Sequence, residues 1–205
     1  LNRWVLNRAL RQQANWLHSD IDLNLCINVS AANVLDQTFI PQLKELLDTW
    51  QVPPSSLTLE IPDRVVSQNP ESMLRALQEL HTTGVQLSLD DVGNGASALT
   101  YLKSLPVSSI KLDTSIVYTI PDNRNNLAFV RSTIDLAHDL GIAVVAEGVK
   151  NKAIWDVLQR LGCDMAQGHH INQPATSGAF ECWLSNSNKF GLGQRATICT
   201  WRSDA

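Results

Sequence analysis

The chain alternates between short apolar runs and longer amphipathic segments over most of its length. In the amphipathic segments apolar residues recur at three- and four-residue spacing, which predicts helices. The apolar runs are shorter, are rich in Leu, Ile and Val, and end at polar residues, which predicts buried strands. Helices are predicted over residues 4–17, 39–50, 70–83, 96–103, 126–140, 152–161 and 177–184. Strands are predicted over residues 23–30, 57–61, 85–90, 110–113, 142–147 and 164–167.

This alternation predicts a parallel sheet with helical crossovers, and two architectures fit it. A doubly wound open sheet would place a glycine-rich phosphate-binding turn near the first strand, and none is present there. A closed barrel places polar residues at the carboxyl ends of many strands, as this sequence does. We therefore expect an α/β fold of the TIM-like (β/α) barrel type.

The barrel is expected to be incomplete, because the pattern gives about six strands where a full barrel has about eight. The first helix also begins without a cap residue, so we expect the first strands of the domain to lie upstream of Leu1. Residues 1–187 are assigned to the barrel domain. Residues 188–205 form a C-terminal tail of unknown role, with one apolar patch at 196–199.

Composition narrows the class of protein further. The 205 residues are 44% hydrophobic and 18% charged, with a net charge of −4, which is typical of a globular domain. The acidic balance argues against DNA or RNA as a partner. No apolar run approaches the roughly 20 residues of a membrane span, and no secretory signal opens the chain. The four cysteines lack zinc-site spacing and favour a reducing, cytoplasmic setting.

Polar residues end all six predicted strands. They are Asn28, Glu60, Asp90 with Asp91, Lys111 with Asp113, Glu147 and Gln167. In a parallel barrel these ends meet on one face, so several carboxylates would converge around one lysine. Burial of so much like charge requires raised pKa values or bound cations. Carboxylate and amide oxygens suit Mg²⁺, Mn²⁺ or Ca²⁺, and adjacent Asp90 and Asp91 could bridge two ions, as in sites that act on phosphodiesters.

Each of these residues also has a simpler interpretation. A single acidic residue at a strand end is often the N-cap of the next helix. Two aspartates before Gly-Asn-Gly are compatible with turn chemistry alone, and a lone lysine is often solvated or ion-paired. The recurrence of the pattern at six successive strand ends favours a metal-dependent site.

Six segments, taken in order, resemble the EAL domain, a family of bacterial cyclic di-GMP phosphodiesterases. Residues 27–31, 59–63 and 90–95 are similar to the family patterns V-N-x-S-A, L-E-I-T-E and D-D-F-G-T-G. Residues 111–115, 144–149 and 161–174 are similar to K-I-D-x-S, V-V-A-E-G-V-E and L-G-C-D-x-x-Q-G followed by Pro. The resemblance covers residues 4–184, and the ordered set is far more specific than any one segment.

The resemblance implies a (β/α)₈-type barrel that uses two Mg²⁺ or Mn²⁺ ions to hydrolyse cyclic di-GMP to linear pGpG. The metal ligands that it implies are Asn28, Glu60, Asp90, Asp91 and Glu147. Glu147 would also be the base for the attacking water, and Lys111 would stabilise a water or phosphate oxygen. The residues that it implies for substrate binding are Asp113 and Gln167, and those that support the loop after Asp91 are Asp63, Gly93 and Gly95.

The resemblance also implies partners beyond cyclic di-GMP. It implies a homodimer formed through the loop after Asp91. It further implies a parent protein with an upstream sensor or GGDEF-type domain, in which this domain is cytoplasmic even if the parent carries a membrane anchor.

The chain departs from the family pattern at several positions. The E-A-L segment, with one further metal-ligand glutamate, would lie upstream of Leu1. Lys150 replaces the second Glu of E-G-V-E, and Asp63 replaces the second Glu of L-E-I-T-E. Val92 and Asn94 replace Phe and Thr of D-D-F-G-T-G. These changes favour impaired hydrolysis, or the alternative of a catalytically inactive module that binds cyclic di-GMP or a protein partner.

Overall fold

The structure, a computed structural model, describes residues 2–94, 98–187 and 196–199. Its strands are β1 (Leu23–Asn28), β2 (Leu57–Pro62), β3 (Gln86–Val92), β4 (Ser109–Leu112), β5 (Ala143–Ala146), β6 (Met165–Ala166) and β7 (Ala196–Cys199). Its α-helices are α1 (Asn2–His18), α2 (Ala31–Val34), α3 (Phe39–Trp50), α4 (Asp63–Gln68), α5 (Pro70–His81), α6 (Thr114–Thr119), α7 (Arg124–Asp139), α8 (Lys152–Arg160) and α9 (Ser177–Ser187). Two 3-10 segments cover Pro54–Ser56 and Ala98–Ser104.

The strands form one sheet in the order β6-β5-β4-β3-β2-β1-β7. Every neighbouring pair is parallel, and β1 to β6 follow one another in chain order. The sheet curls into an incomplete barrel with helices outside it, which confirms the predicted TIM-like fold. A doubly wound sheet would reverse its strand order at a switch point, and β1 to β6 show no such reversal.

Side chains on the strands alternate between a polar inner face and an apolar outer face. In β3, Gln86 and Ser88 line the inside of the barrel, while Leu87 and Leu89 are buried in the hydrophobic core. This two-residue alternation is the geometry of any extended strand. The core therefore lies between the sheet and the helices, and its fully buried members include Leu59, Leu77, Leu80, Ile110 and Ile134.

The predicted strands are all present, with ends displaced by at most two residues, but three short helices were not predicted. Helices α2, α4 and α6 have only four to six residues, too few for helical spacing to repeat. The predicted helix at 96–103 is instead the 3-10 segment Ala98–Ser104, and residues 95–97 lie outside the described chain. Within the described ranges, no helix is both long enough and apolar enough to span a membrane.

The tail contributes a strand that the sequence pattern left unplaced. The apolar patch Ala196–Cys199 forms β7 and pairs in parallel with the outer edge of β1. The register places Leu23 opposite Ala196 and Cys26 opposite Cys199. Strand β6 forms the opposite edge of the sheet.

Candidate active site

A buried lysine lies among the carboxylates at the strand ends. Lys111 on β4 is 3% exposed, and its Nζ lies 2.9 Å from Glu60 Oε1, 2.5 Å from Glu147 Oε1 and 3.8 Å from Asp90 Oδ1. Glu60 and Asp90 are themselves 1% exposed. One ammonium group thus faces three carboxylates where water screens charge poorly, so the cluster carries an excess of buried negative charge.

Three carboxylates lie close enough together to share a cation. One oxygen from each of Asp90, Asp91 and Glu147 lies within 4.8 Å of the others. Adjacent residues of a regular strand point to opposite faces, which would separate Asp90 from Asp91. Asp91 escapes this constraint because its φ is 61°, in the left-handed region that aspartate tolerates better than most residues. Its N–H donates to Asp90 Oδ1 at 2.9 Å.

Glu147 follows β5 and is the most accessible of the carboxylates that contact Lys111, with 18% of its side chain exposed. Burial raises its pKa above the usual value for glutamate. Attraction to Lys111 opposes this shift, whereas repulsion from Asp90 and Glu60 adds to it. A divalent cation at this position would favour the charged carboxylate and lower the pKa again.

The donor set suits a hard divalent cation. Besides the three clustered carboxylates, the buried Glu60 carboxylate has Oε1 2.9 Å from the Lys111 ammonium, while its Oε2 accepts no hydrogen bond from the described part of the chain. Asn28 ends β1 directly opposite Glu60 in the strand register. Carboxylate and amide oxygens are the ligands that Mg²⁺ and Mn²⁺ prefer. The individual assignments of these residues as metal ligands stay predictions.

The other predicted site residues lie near the same strand ends. Asp113 caps α6, where its Oδ1 accepts a hydrogen bond from the Ser115 N–H at 2.8 Å. The N–H of Gln167 donates to Ala146 O at 2.8 Å, and its Oε1 is buried without a hydrogen-bond partner among the described residues. Asp63 is the buried first residue of α4. The roles of these residues in binding substrate or supporting the loop stay predictions.

The loop after Asp91 packs tightly at its first glycine. Gly93 has a φ of 102°, and a Cβ atom there would lie 2.3 Å from Ile116 Cδ1 and 2.8 Å from Phe129 Cε1. Only glycine fits this contact with α6 and α7. Gly95 lies outside the described residues, and dimerisation through this loop stays a prediction.

A polar cavity of about 240 Å³ lies inside the incomplete barrel, on the amino-terminal side of Lys111. Ser88 Oγ is buried in its wall without a hydrogen-bond partner in the described chain, so the cavity is polar enough to hold water. Sequence reasoning missed this cavity, although polar residues at every second position of β3 signal it. The polar residues of its wall include Asn24, Thr58, Glu60, Gln86, Ser88, Ser109 and Lys111.

Sequence reasoning also missed the surroundings of Lys150, which it had marked as a departure from the family pattern. The Nζ of Lys150 lies 4.2 Å from the centroid of the Tyr118 ring, on α6. The contact joins two elements distant in the sequence, so no local pattern signals it.

Comparison with known proteins decides the family. The sequence model of the EAL domain matches residues 1–174. The chain belongs to the EAL domain family. The cyclic di-GMP phosphodiesterase PA2567 of Pseudomonas aeruginosa is 35% identical over 184 residues, which cover 90% of this chain and 31% of the relative. The chain thus spans less than a third of the length of the first curated relatives that it matches.

Solved EAL domains share the fold of this chain. The PaMucR phosphodiesterase in complex with c-di-GMP superposes with a TM-score of 0.83 and 32% identity, over 87% of this chain and 73% of that one. The EAL domain of Mycobacterium smegmatis DcpA superposes with a TM-score of 0.85 and 35% identity, over 90% and 83%. The incomplete barrel therefore has the architecture of other EAL domains.

Proposed function

We propose that this chain is the catalytic domain of a larger bacterial signalling protein and hydrolyses cyclic di-GMP to linear pGpG. The observation that carries the proposal is the cluster of Asp90, Asp91 and Glu147 around one position beside Lys111. The relatives named for cyclic di-GMP phosphodiesterase activity support the same substrate. In this proposal residues 1–187 form the domain, on the cytoplasmic side of any membrane, and residues 188–205 form a tail.

Asp90, Asp91 and Glu147 would hold one Mg²⁺ or Mn²⁺ ion, and Asn28 and Glu60 would contribute to a second position. Ions of this kind lower the pKa of bound water and neutralise charge on a phosphodiester. The buried excess of negative charge described above supports this assignment, because a cation would offset it.

The protein's own groups supply the proton transfer and part of the charge stabilisation. Glu147, the most exposed of the carboxylates that contact Lys111, accepts the proton of the attacking water as the general base. The water oxygen bonds to phosphorus, the bond from phosphorus to the leaving ribose oxygen breaks, and that oxygen takes up a proton. Lys111, held by Glu60 and Glu147, provides a fixed positive charge near the developing oxyanion.

Substrate and partner contacts complete the proposal. Asp113 and Gln167 contact the nucleotide, and Asp63, Gly93 and Gly95 support the loop after Asp91, through which two copies pair. The parent protein carries a sensor or GGDEF-type domain upstream.

A receptor that binds cyclic di-GMP without turnover is the second candidate function. The basic Lys150 favours it, because the family pattern has a glutamate at this position.

The test is calorimetric titration of the purified chain with cyclic di-GMP, with and without Mg²⁺ or Mn²⁺, followed by chromatography of the nucleotide. We expect metal-dependent conversion to pGpG that falls by at least about a hundredfold in Glu147→Gln, since a general base contributes about that much. The exposed Glu71→Gln is the matched control and keeps the wild-type rate. Binding without conversion by the wild type would establish the receptor, and wild-type turnover in Glu147→Gln would refute the assignment of the base.

A further inference from the structure

The loop of residues 147–150 carries Glu147, whose N–H donates to Leu112 O at the end of β4 at 3.2 Å, whereas residues 148–150 depend on contacts outside the sheet. Strand β5 ends at Ala146, and Gly148 turns the chain away with a φ of 70°. Lys111 attracts the Glu147 carboxylate, with Nζ 2.5 Å from Oε1, while Asp90 and Glu60 repel it. The contacts of residues 148–150 therefore add to the bonds that Glu147 itself makes with Leu112 O and Lys111 in setting its position.

On one side this loop is joined to the segment after β6. The Val149 N–H donates to Gln167 O at 3.0 Å, and Val149 O accepts from the His170 N–H at 3.0 Å. A Cβ at Gly168 would lie 2.2 Å from Val149 O, so the two backbones are in direct contact. These contacts fix the middle of the loop by backbone atoms alone.

On the other side the loop packs against α6, the helix that follows the strand carrying Lys111. A Cβ at Gly148 would lie 2.3 Å from Thr114 Cγ2, so the Gly148 backbone is in close contact with the side chain of the first residue of the helix. One turn further along the helix, the Lys150 ammonium lies 4.2 Å from the Tyr118 ring centroid. Tyr118 is 53% exposed, so the Lys150 ammonium contacts its ring at the protein surface.

We propose that Lys150 and Tyr118 form a latch that positions Glu147 relative to Lys111. The inference rests on the proposed function, in which Glu147 is a metal ligand and the base. In it, Lys150 and Tyr118 are positioning residues, because they act through the loop and not on the substrate. The departure at Lys150 from the family pattern is thereby compatible with an ordered site, since the basic side chain has an aromatic partner directed to it.

The test compares variants that remove the cation–π contact with variants that keep it. Tyr118→Leu and Lys150→Met remove it, whereas Tyr118→Phe and Lys150→Arg retain a ring and a cation. The measurements are Mn²⁺ affinity by calorimetry and, in the metal-free protein, the hydrogen-exchange rate of the Val149 amide. Thermal melting identifies any variant that fails to fold.

We expect Tyr118→Leu and Lys150→Met each to weaken Mn²⁺ binding by about two- to fivefold and to speed Val149 exchange, as expected for loss of an exposed cation–π contact. The double variant should be no weaker than either single variant, and Tyr118→Phe and Lys150→Arg should behave as wild type. Additive losses, or a loss in Tyr118→Phe equal to that in Tyr118→Leu, would overturn the latch.

Two further outcomes separate the latch from the proposed function. If the wild type binds no Mn²⁺, the proposed function fails, while the exchange of the Val149 amide in the metal-free variants still decides for or against the latch. If Tyr118→Leu raises KM for cyclic di-GMP and leaves kcat and Mn²⁺ affinity unchanged, Tyr118 contacts substrate and the positioning role is refuted.

Discussion

Lys111 determines the charge balance of the site. Its side chain is 3% exposed and its ammonium group faces Glu60, Asp90 and Glu147, so bulk water screens these charges poorly. Removing one partner of a buried ion pair leaves the others uncompensated, which costs far more than breaking an exposed pair. The lysine therefore has a structural role in the metal-free protein besides the chemical one proposed for it.

We predict that Lys111→Met lowers the free energy of unfolding of the metal-free protein by about 3–5 kcal/mol, the usual cost of an orphaned buried charge. The matched control is Lys152→Met, which breaks an exposed pair with Asp156 at 2.7 Å and should cost at most about 0.5 kcal/mol. Urea denaturation at constant pH measures both. Equal effects in the two variants would contradict the buried charge cluster.

The raised pKa of Glu147 predicts how Mn²⁺ binding depends on pH. Protons and cations compete for the carboxylate, so affinity should begin to fall at a higher pH than for an ordinary glutamate as the solution is acidified. In the metal-free protein the same shift acts on stability: protonated Glu147 stabilises the fold, and this contribution is lost as pH rises through its raised pKa.

Calorimetric titration with Mn²⁺ between about pH 8 and pH 5 tests this dependence. The Glu147→Gln variant should bind Mn²⁺ more weakly at high pH. Its Mn²⁺ affinity should also fall less steeply as the pH is lowered, because one carboxylate for which protons compete has been removed. An unchanged slope in that variant would show that Glu147 is not the group that titrates.

At the scale of elements, the packing of the 147–150 loop against α6 can be tested by glycine substitution. Gly148 and Gly141 have nearly equal φ values, 70° and 72°, so alanine meets similar backbone strain at both, about 1 kcal/mol. A Cβ at Gly148 overlaps Thr114, whereas nothing lies within 4 Å of a Cβ at Gly141. Comparing alanine substitutions at the two glycines therefore separates the effect of the contact with Thr114 from the effect of backbone strain.

We predict that Gly148→Ala costs about 1–3 kcal/mol more than Gly141→Ala in urea denaturation, the usual range for overpacking. Gly148→Ala should also weaken Mn²⁺ binding, because the clash displaces the loop that carries Glu147, and Gly141→Ala should not. Comparable losses of stability with unaffected Mn²⁺ binding in both would argue against a loop held by α6.

The elements also show what a single sequence can and cannot reveal. The long helices and the strands repeat their periodic pattern, so their existence and order were predictable, and with them the set of polar strand ends. The short helices α4 and α6 were not predictable. They are fixed by buried residues such as Val66 in α4 and Val117 in α6, and by the Asp113 cap of α6. The contact of Lys150 with Tyr118 depends on tertiary structure alone.

For the whole molecule, metal binding at the proposed site would increase stability. A ligand that binds only the folded state at a hundred times its Kd stabilises that state by about 2.7 kcal/mol. For a domain of this size each kcal/mol raises Tm by about 2–4 °C, so saturating Mn²⁺ should raise Tm by about 5–10 °C. Scanning calorimetry measures the shift, which should shrink in Glu147→Gln. A Tm that does not change when Mn²⁺ is added would contradict a metal site in this chain.

The left-handed backbone of Asp91 has an evolutionary consequence. Aspartate and asparagine both tolerate this conformation, whereas most other side chains are strained there. Exchange of Asp91 for asparagine would thus preserve the loop and remove one of three clustered charges. The backbone conformation at position 91 would therefore not oppose that exchange. In terms of the proposed function, this exchange of one side-chain oxygen for nitrogen would move the domain from catalyst towards receptor while keeping the left-handed turn.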